Sequence, residues 1–575
     1  MDSRTAAHVL SQIGTLLDLA GAPRFNSRAY QTASRAILEL GAEDLGPLLN
    51  SGELGKTKAV GRATLSVIRE LVETGESSYL NRLSESTPKG LYDLLKVPGL
   101  GGTKVHQIQE ALGVETLDDL EAAALDGRLA KLPKFGPKTA ERILKGIEFA
   151  RSASNKTLYH RGLIQALIVR DQVSRHPDVI EAIIAGSVRR HNEIIGDVDI
   201  VAVCKADPEI VAASFADSAG VKTAKRNGGY VSITYVDDVT VDIYCTVLEN
   251  AGYAVWRLTG SDTHVADVRA YATKKRIKLT DDAVIGRGGK PLTMRNEAAF
   301  FKALGLQEVP PELREGRGEV EAAAAGMLPD LVEEKDIRGP LHCHSEHSDG
   351  GATIEEMAEG ARERGWDYIG ITDHSESAFY AGGLKRDAIA RQHDEIDELN
   401  SQRKGFRILK GIEADILADG RVDYDDKILG SFDFVVGSVH SRFSMDGGAM
   451  TDRVLRAMED PHLTILGHPT GRLLLSREPY AIDIEAVIEK AAETGTAIEL
   501  NADPHRLDMD WRHCRSARDR GVLIEIGPDA HSVNGLDNTF VGVGLARKGW
   551  LRSEDVLNAR SAKEVVRFAK KKREA

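Results

Sequence analysis

The spacing of apolar positions changes character several times along the chain. Residues 1 to about 85 repeat apolar positions every three or four residues in short runs, broken at Gly41, Gly46, Gly52 and Gly61, which predicts several short amphipathic helices. Two stretches then share one plan. Val97-Pro98-Gly99-Leu100-Gly101-Gly102-Thr103-Lys104 and Leu132-Pro133-Lys134-Phe135-Gly136-Pro137-Lys138-Thr139 each read as an apolar residue, a tight turn and a helix with lysine near its start. From Leu163 a helix to Val173 leads into the apolar run Val179 to Ala185 and two alternating strands, around Val198 to Val203 and Val239 to Tyr244. Beyond an alanine-rich stretch, Val320 to Gly326, short apolar runs alternate with amphipathic helices such as Ile354 to Gly365 and Ile484 to Thr494. The runs are Tyr368 to Thr372, Phe406 to Ile412, Phe432 to Val439, Leu463 to Gly467, Ala497 to Asn501 and Val522 to Gly527. With a strand at Leu341 to His344 they make seven β/α units, the arithmetic of a barrel.

Composition narrows the class. A chain of 575 residues is too long for one core, and 42% hydrophobic with 28% charged residues describes a globular protein. No apolar run reaches the length of a membrane span, and the opening MDSRTAAHVL lacks a signal-peptide layout, so a cytoplasmic location and no membrane partner are expected. Cys204, Cys245, Cys343 and Cys514 form no CxxC pair and are expected to fill cores. A net charge of −13 confines any nucleic-acid contact to local patches, backbone amides or metal ions.

Three sets of residues carry chemistry. A glycine turn at a helix start exposes unpaired N–H groups at the positive end of the helix dipole, which suits a phosphate. The two stretches above have the helix-hairpin-helix pattern, with a degenerate third copy at Lys58-Ala59-Val60-Gly61-Arg62. Gly99, Gly101, Lys104, Gly136, Lys138 and Thr139 are therefore candidate contacts to a DNA or RNA backbone. Arg28 and Tyr30, at a helix start, are weaker candidates for a phosphate and a base. Second, Gly186-Ser187 is followed by Asp197 and Asp199 on one face of a strand, and Asp242 lies in another apolar strand. Carboxylates held together repel unless a cation lies between them. Three on neighbouring strands suit a two-metal nucleotidyl-transfer site, with Ser187 and nearby arginines on the triphosphate. Third, eleven of the 17 histidines follow residue 337. Strand after strand ends in a histidine or an acid: His342 and His344, Asp373-His374, Glu413, His440, His468, and Asp529 with His531. Functional residues of β/α barrels gather at such ends, and this nitrogen and carboxylate set suits Mn²⁺, Fe or Zn²⁺.

Taken together, Gly186-Ser187 through Asp199, Asp242, and Thr259-Gly260-Ser261 with His264 and Arg269 resemble the palm and thumb of family X DNA polymerases, the group of DNA polymerase beta. Pro310 to Glu319 resembles the junction of bacterial members that carry a C-terminal PHP (polymerase and histidinol phosphatase) domain. The resemblance covers essentially the whole chain and implies a multidomain α+β and α/β protein. Its domains would be a helical lyase-like region (1–85), helix-hairpin-helix fingers (86–150), a nucleotidyltransferase palm (151–247), a thumb (248–318), a linker (319–337) and a distorted seven-stranded β/α PHP barrel (338–575). It implies catalytic metal ligation by Asp197, Asp199 and Asp242 with Mg²⁺ or Mn²⁺. Gly186, Ser187, Arg190, Thr259, Gly260, Ser261 and Arg269 would bind the nucleotide. In the barrel it implies up to three ions: one on His342, His344, Glu413 and Asp529; a second on Glu413, His440 and His468; a third on Asp349, His374 and His531. Glu413 and His440 would be catalytic, and His347 a neighbour. Arg442 and Arg472 are candidate phosphate contacts. Three positions depart from the family pattern. Arg257-Leu258 stands where a Tyr-Phe pair packs on the incoming sugar, Val265 where an asparagine follows His264, and Val67 where a Schiff-base lysine is expected, which removes lyase chemistry there.

The expected activity is DNA repair: gap-filling polymerisation and 3′-5′ exonuclease trimming, with AP endonuclease or 3′-phosphatase action as further hydrolytic options. The expected partners are gapped or nicked duplex DNA, 3′ ends and deoxynucleoside triphosphates, and the expected state is a monomer. The alternative is a DNA-end-binding PHP nuclease whose polymerase half is weak or inactive. A small-molecule phosphatase has no use for the helix-hairpin-helix repeats.

Overall fold

The computed structural model describes all residues except 41, 43, 58, 154, 155, 219, 236–238 and 575, and leaves out the side chains of 4, 152 and 153. Gly41 and Lys58, expected at a helix break and at the head of the third hairpin copy, lie outside the described residues. The chain forms two compact units, Met1–Ser154 and Asn155–Ala575.

The first unit is helical, with two cores. One gathers Leu10, Ile13, Leu17, Tyr30, Ile37, Val67, Ile68 and Leu71; the other gathers Leu91, Leu94, Leu100, Val105, Ile108, Phe135 and Ile143. Tyr30 and Val67 are thus core residues, and Tyr30 offers no ring to a base. The three hairpin turns share one backbone device. Ala59, Gly99 and Lys134 hold φ of 75°, 83° and 72°, and the next residue, Val60, Leu100 or Phe135, is buried. Gly61 and Gly101 then cap the helices Arg62–Thr74 and Gly102–Leu112, and Gly136 precedes Pro137–Ala153. A left-handed residue at this step turns the chain so that the apolar residue drops inward while the next N–H groups stay outside.

The second unit begins with a five-stranded sheet in the order Val179–Ile184, Val198–Cys204, Thr240–Val247, Tyr230–Tyr235, Val221–Asn227. The two strands bearing Asp199 and Asp242 are parallel neighbours. One face packs on a core that includes Tyr159, Ala166, Val211 and Ala212 of the helices Tyr159–Ser174 and Pro208–Ala216. On the other, Val201 meets Ala254 and Val255 of the helix Ala251–Thr259. A second core then forms around Tyr253, Trp256, Phe300 and Phe301. The stretch 319–337, expected as a linker, contributes to it. Its first residues form the helix Glu319–Ala325, and Val320 and Ala323 share one face and pack into that core.

The last region is a parallel six-stranded sheet in chain order: Tyr368–Ile371, Arg407–Asp415, Phe434–Ser438, Leu463–Leu466, Ala497–Asn501, Ile524–Gly527. The expected seventh strand, at the His-x-His segment, does not form a regular ladder. It makes a single bridge, Cys343 to Ala530. Its carbonyls at Pro340 and Cys343 accept from Gly370 and Thr372 at 2.8 and 2.7 Å, and His344 N donates to Ala530 O at 2.8 Å. The segment therefore joins both edges of the sheet and stands as an irregular seventh stave. Beneath, Val565 and Ala569 of the helix Ala562–Arg573 pack on Leu341, Tyr368, Leu409 and Phe434.

Candidate active sites in the sheet and the barrel

The parallel register sets Asp199 directly opposite Asp242, and Asp197 precedes the Asp199 strand by one residue. Burial, with Asp197 and Asp242 beside it, pushes the Asp199 carboxyl up to about 7. Burial and the Asp242 charge also raise Asp197. Asp242 Oδ1 and Ser187 Oγ are buried without a hydrogen-bond partner. Gly186 holds φ 59°, and a Cβ there would stand 1.7 Å from Asp199 Oδ2. Only glycine admits the carboxylate at that turn.

The remaining nucleotide-site candidates are engaged within the protein. Arg190 donates to Glu315 Oε1 at 2.9 Å and to the Thr259 carbonyl at 2.6 Å. Arg189 donates to Thr259 Oγ1, and Ser261 Oγ caps the helix Asp262–Lys274 by accepting from His264 N. Gly260 packs against His264, where a Cβ would meet Cδ2 at 2.8 Å. Arg269 pairs with Asp281 at 3.0 Å. His264 is fully buried between Trp256 Nε1 and Glu319, and Val265 packs beside that core. Arg257 lies over the Tyr244 ring at 5.0 Å.

In the barrel, side chains from every strand end converge. His342 Nε2 and His344 Nε2 lie 3.5 and 3.8 Å from Glu413 Oε2, and 3.7 and 3.3 Å from Asp529 Oδ1. Glu413 Oε1 faces His440 and His468 Nε2 at 3.3 and 3.0 Å. Asp349 Oδ1 faces His374 and His531 Nε2 at 3.5 and 3.3 Å. Three groups have all their donor atoms within 4.8 Å: His344, Asp349, His374 and His531; His342, His344 and Asp529; His374, Glu413 and His440. His344 and His374 thus each belong to two groups, which differs from the expected partition. Asp197, Asp199 and Asp242 do not converge as tightly. His347 turns away to Glu395 at 2.8 Å.

His468 Nε2 is hydrogen-bonded to Glu413 Oε1 at 3.0 Å, but several other donor atoms make no hydrogen bond to one another. His374 Nδ1 is 2.9 Å from Glu413 Oε2, yet neither atom is in a hydrogen bond. His342 Nε2, both nitrogens of His344 and His468 Nδ1 are likewise buried and unpartnered. This is what metal ligands require, and the donor set fits divalent cations. The electrostatics agree. Burial, with His531 and His374, pushes His344 down to about 3, so its imidazole is neutral. Burial also opposes charge on His374 and His440, but Glu413 outweighs it and raises them to about 10 and about 9. Despite burial, His374, His440 and His342 hold Glu413 well below the usual carboxylate range. Protons on imidazoles balance the buried carboxylates here, and metal binding displaces such protons.

Several partners escape a reading of strand ends. Glu499 accepts from His342 Nδ1 at 2.6 Å, and Asp415 from His440 Nδ1 at 2.8 Å. Asp373 is held by Ser345, Ser348 and Gln392. Arg506, from a loop, lies 3.2 Å from Asp529 Oδ2. Asp415 alternates with Glu413 along one strand, a signal available in the sequence; Arg506 has none. Of the arginine candidates, Arg472 is bound to Asp510 and the Leu507 and Arg506 carbonyls, whereas Arg442 is exposed.

The barrel is joined to the sheet within the second unit. Buried Lys548 reaches Glu315, Asn192 and the Arg190 carbonyl, and Arg512 and Arg472 flank Glu193 at 3.2 and 3.8 Å.

Comparison with known proteins follows the same division. Residues 91–148 match the family model of the SAM-like helix-hairpin-helix tandem, 254–315 the DNA polymerase beta thumb, and 340–503 the PHP domain. The chain is 35% identical over 575 residues to the "DNA polymerase/3'-5' exonuclease PolX" of Bacillus subtilis, covering 99% of this chain and 100% of that protein. It is 28% identical over 256 residues to a "Probable phosphatase" of Caldanaerobacter subterraneus, covering 41% of this chain and 93% of that protein. A "Probable phosphatase" of Syntrophotalea carbinolica is 35% identical over 166 residues, 28% of this chain and 64% of that protein.

Proposed function

From the premise that the chain belongs to the family of the Bacillus subtilis DNA polymerase/3'-5' exonuclease PolX, we propose a DNA repair enzyme with two separate phosphate chemistries. The Asp197, Asp199 and Asp242 site adds nucleotides at gaps in duplex DNA, and the barrel hydrolyses phosphodiesters from 3′ ends. The observation that carries the hydrolytic half is the convergence of three imidazoles on one buried carboxylate oxygen: His374, His342 and His344 lie 2.9, 3.5 and 3.8 Å from Glu413 Oε2, which accepts no hydrogen bond. Buried lone pairs aimed at common space are costly unless a cation is there.

In the barrel His342, His344 and Asp529 would hold one ion, His374, Glu413 and His440 a second, and Asp349 and His531, with His344 and His374, a third, with His468 beside Glu413; Mn²⁺, Zn²⁺ and Fe all suit these donors. Bound ions supply Lewis acidity toward a phosphoryl oxygen and toward water. The protein's own groups orient the site. Glu499 holds the Nδ1–H of His342, leaving Nε2 inward, and Asp415 does the same for His440. Arg506, paired with Asp529 at 3.2 Å, adds positive charge beside the cluster. In the sheet, Asp197, Asp199 and Asp242 hold Mg²⁺ or Mn²⁺, and the unpartnered Ser187 hydroxyl donates to the triphosphate. Gly99, Gly101, Lys104, Gly136, Lys138 and Thr139 contact the DNA backbone through turn amides and lysines. The enzyme acts as a cytoplasmic monomer on gapped or nicked duplexes.

A labelled primer on a gapped duplex with Mn²⁺ tests this: it lengthens with deoxynucleoside triphosphates and shortens without them. One observation favours the second reading, a DNA-end-binding nuclease with a weak polymerase half: Arg190 is engaged by Glu315 and Thr259. Tight binding of the gapped duplex without extension, alongside shortening, selects that reading.

A further inference from the structure

The loop that follows the Tyr368–Ile371 strand is firmly held. Ser375 N donates to Glu413 O at 2.9 Å and Leu384 N to His374 O at 2.8 Å. Glu376 N donates to Tyr424 Oη, and Ser377 N to Asp423 Oδ2, both at 2.9 Å. Ala378 and Ala381 are buried. Yet on the short turn Phe379–Ala381 between them, the two largest side chains face outward: Phe379 is 86% and Tyr380 60% exposed. Aromatic rings projected from an anchored backbone are not explained by folding, because burying them would contribute stability.

Their position supplies the reason. The Tyr380 ring lies 6.3 Å from the rings of both His374 and His440, at the mouth of the ion-binding cluster. Phe379 meets Tyr380 edge to face at 6.1 Å and 78°, so the two exposed rings form one aromatic patch beside the cluster. Many groups around the cluster are charged and suited to phosphate; this pair adds exposed aromatic surface next to it. A nucleotide has both parts, an anionic phosphate and an aromatic base a short distance away. We propose that Phe379 and Tyr380 form a base-stacking subsite that seats a nucleobase next to the scissile phosphate. Stacking tolerates every base, because each has a π face, so the subsite tightens substrate binding without reading sequence. This inference rests on the hydrolytic reading of the barrel.

The test compares the native protein with the Phe379→Ala/Tyr380→Ala double variant on two single-stranded oligonucleotides, one normal and one with its last two nucleotides abasic. With Mn²⁺, KM on the normal oligonucleotide rises by about tenfold or more in the double variant, within the range of a lost base stack, while kcat changes by less than about twofold. On the abasic oligonucleotide the two proteins have equal KM. Tyr380→Phe, which keeps the ring, behaves as native. Separately, with EDTA in place of metal, an oligonucleotide ending in 2-aminopurine is quenched on binding the native protein and not the double variant. A quench difference without hydrolysis by either protein overturns the hydrolytic reading and leaves the subsite standing. Equal KM values on normal DNA together with equal quenching, or a KM rise of the same size on abasic DNA, overturn the subsite.

Discussion

A Cβ on residue 186 would stand 1.7 Å from Oδ2 of Asp199. The turn before the carboxylate strand therefore fixes how deeply Asp199 sits opposite Asp242. Gly186→Ala should push Asp199 out of line, and a displacement of that order costs about 100-fold in rate. Primer extension by this variant is expected to fall by that factor while 3′ shortening stays within about twofold of native. Equal loss of both activities would instead mean a general failure to fold.

Asp415 holds His440 by its Nδ1 and touches no substrate. Removing such a support behind a ligand typically costs about 10- to 100-fold in activity or metal affinity. Asp415→Asn should lower hydrolysis by that amount and shift the Mn²⁺ titration to higher concentration, with extension unchanged. An unshifted titration with normal hydrolysis would remove Asp415 from the site.

Lys548 joins the barrel to the sheet, and burial, partly offset by Glu315, lowers its pKa from 10.5 to about 8. As pH rises through about 8 the folded protein loses this proton first, while the unfolded chain keeps it to about 10.5. Between those values the unfolded state binds more protons, so this group's contribution to stability increases with pH. The Tm of the native protein relative to Lys548→Met should therefore grow more favourable from pH 8 to pH 10. A constant difference across that range contradicts the buried charge.

In the first unit Gly99 holds φ 83° in the hairpin turn, where a side chain costs about 1–2 kcal/mol. Gly99→Ala should destabilise that unit by this amount in urea unfolding. Lys138→Ala should leave stability unchanged but reduce the salt dependence of DNA binding by about one unit of slope. A slope equal to native would exclude Lys138 from phosphate contact.

Much of this architecture is legible in the order of the amino acids. Alternation around Asp199 and Asp242 predicts two strands, and both form, because successive side chains of a strand point to opposite faces of the sheet. The strand ends of the barrel are legible for the same reason: parallel strands buried on both faces read as short apolar runs, and a polar residue closing each run stands out. What is hidden depends on contacts distant along the chain. The His-x-His segment looks like a strand, yet its partners are Ala530 on one side and the N–H groups of Gly370 and Thr372 on the other, so it pairs irregularly. The alanine-rich stretch reads as a linker because the residues it packs into the core, Val320, Ala322 and Ala323, have small side chains. Glu319, at its start, is buried against His264, 55 residues away. Arg190 reads as a phosphate ligand, and nothing local reveals that Glu315 faces it.

The most direct test of two independent phosphate chemistries is one gapped duplex, assayed for extension and shortening with Asp197→Ala and Glu413→Ala side by side. Asp197→Ala should abolish extension and keep shortening; Glu413→Ala should keep extension and abolish shortening. Loss of both activities in either variant, with the fold intact, or survival of the targeted activity, would contradict the account.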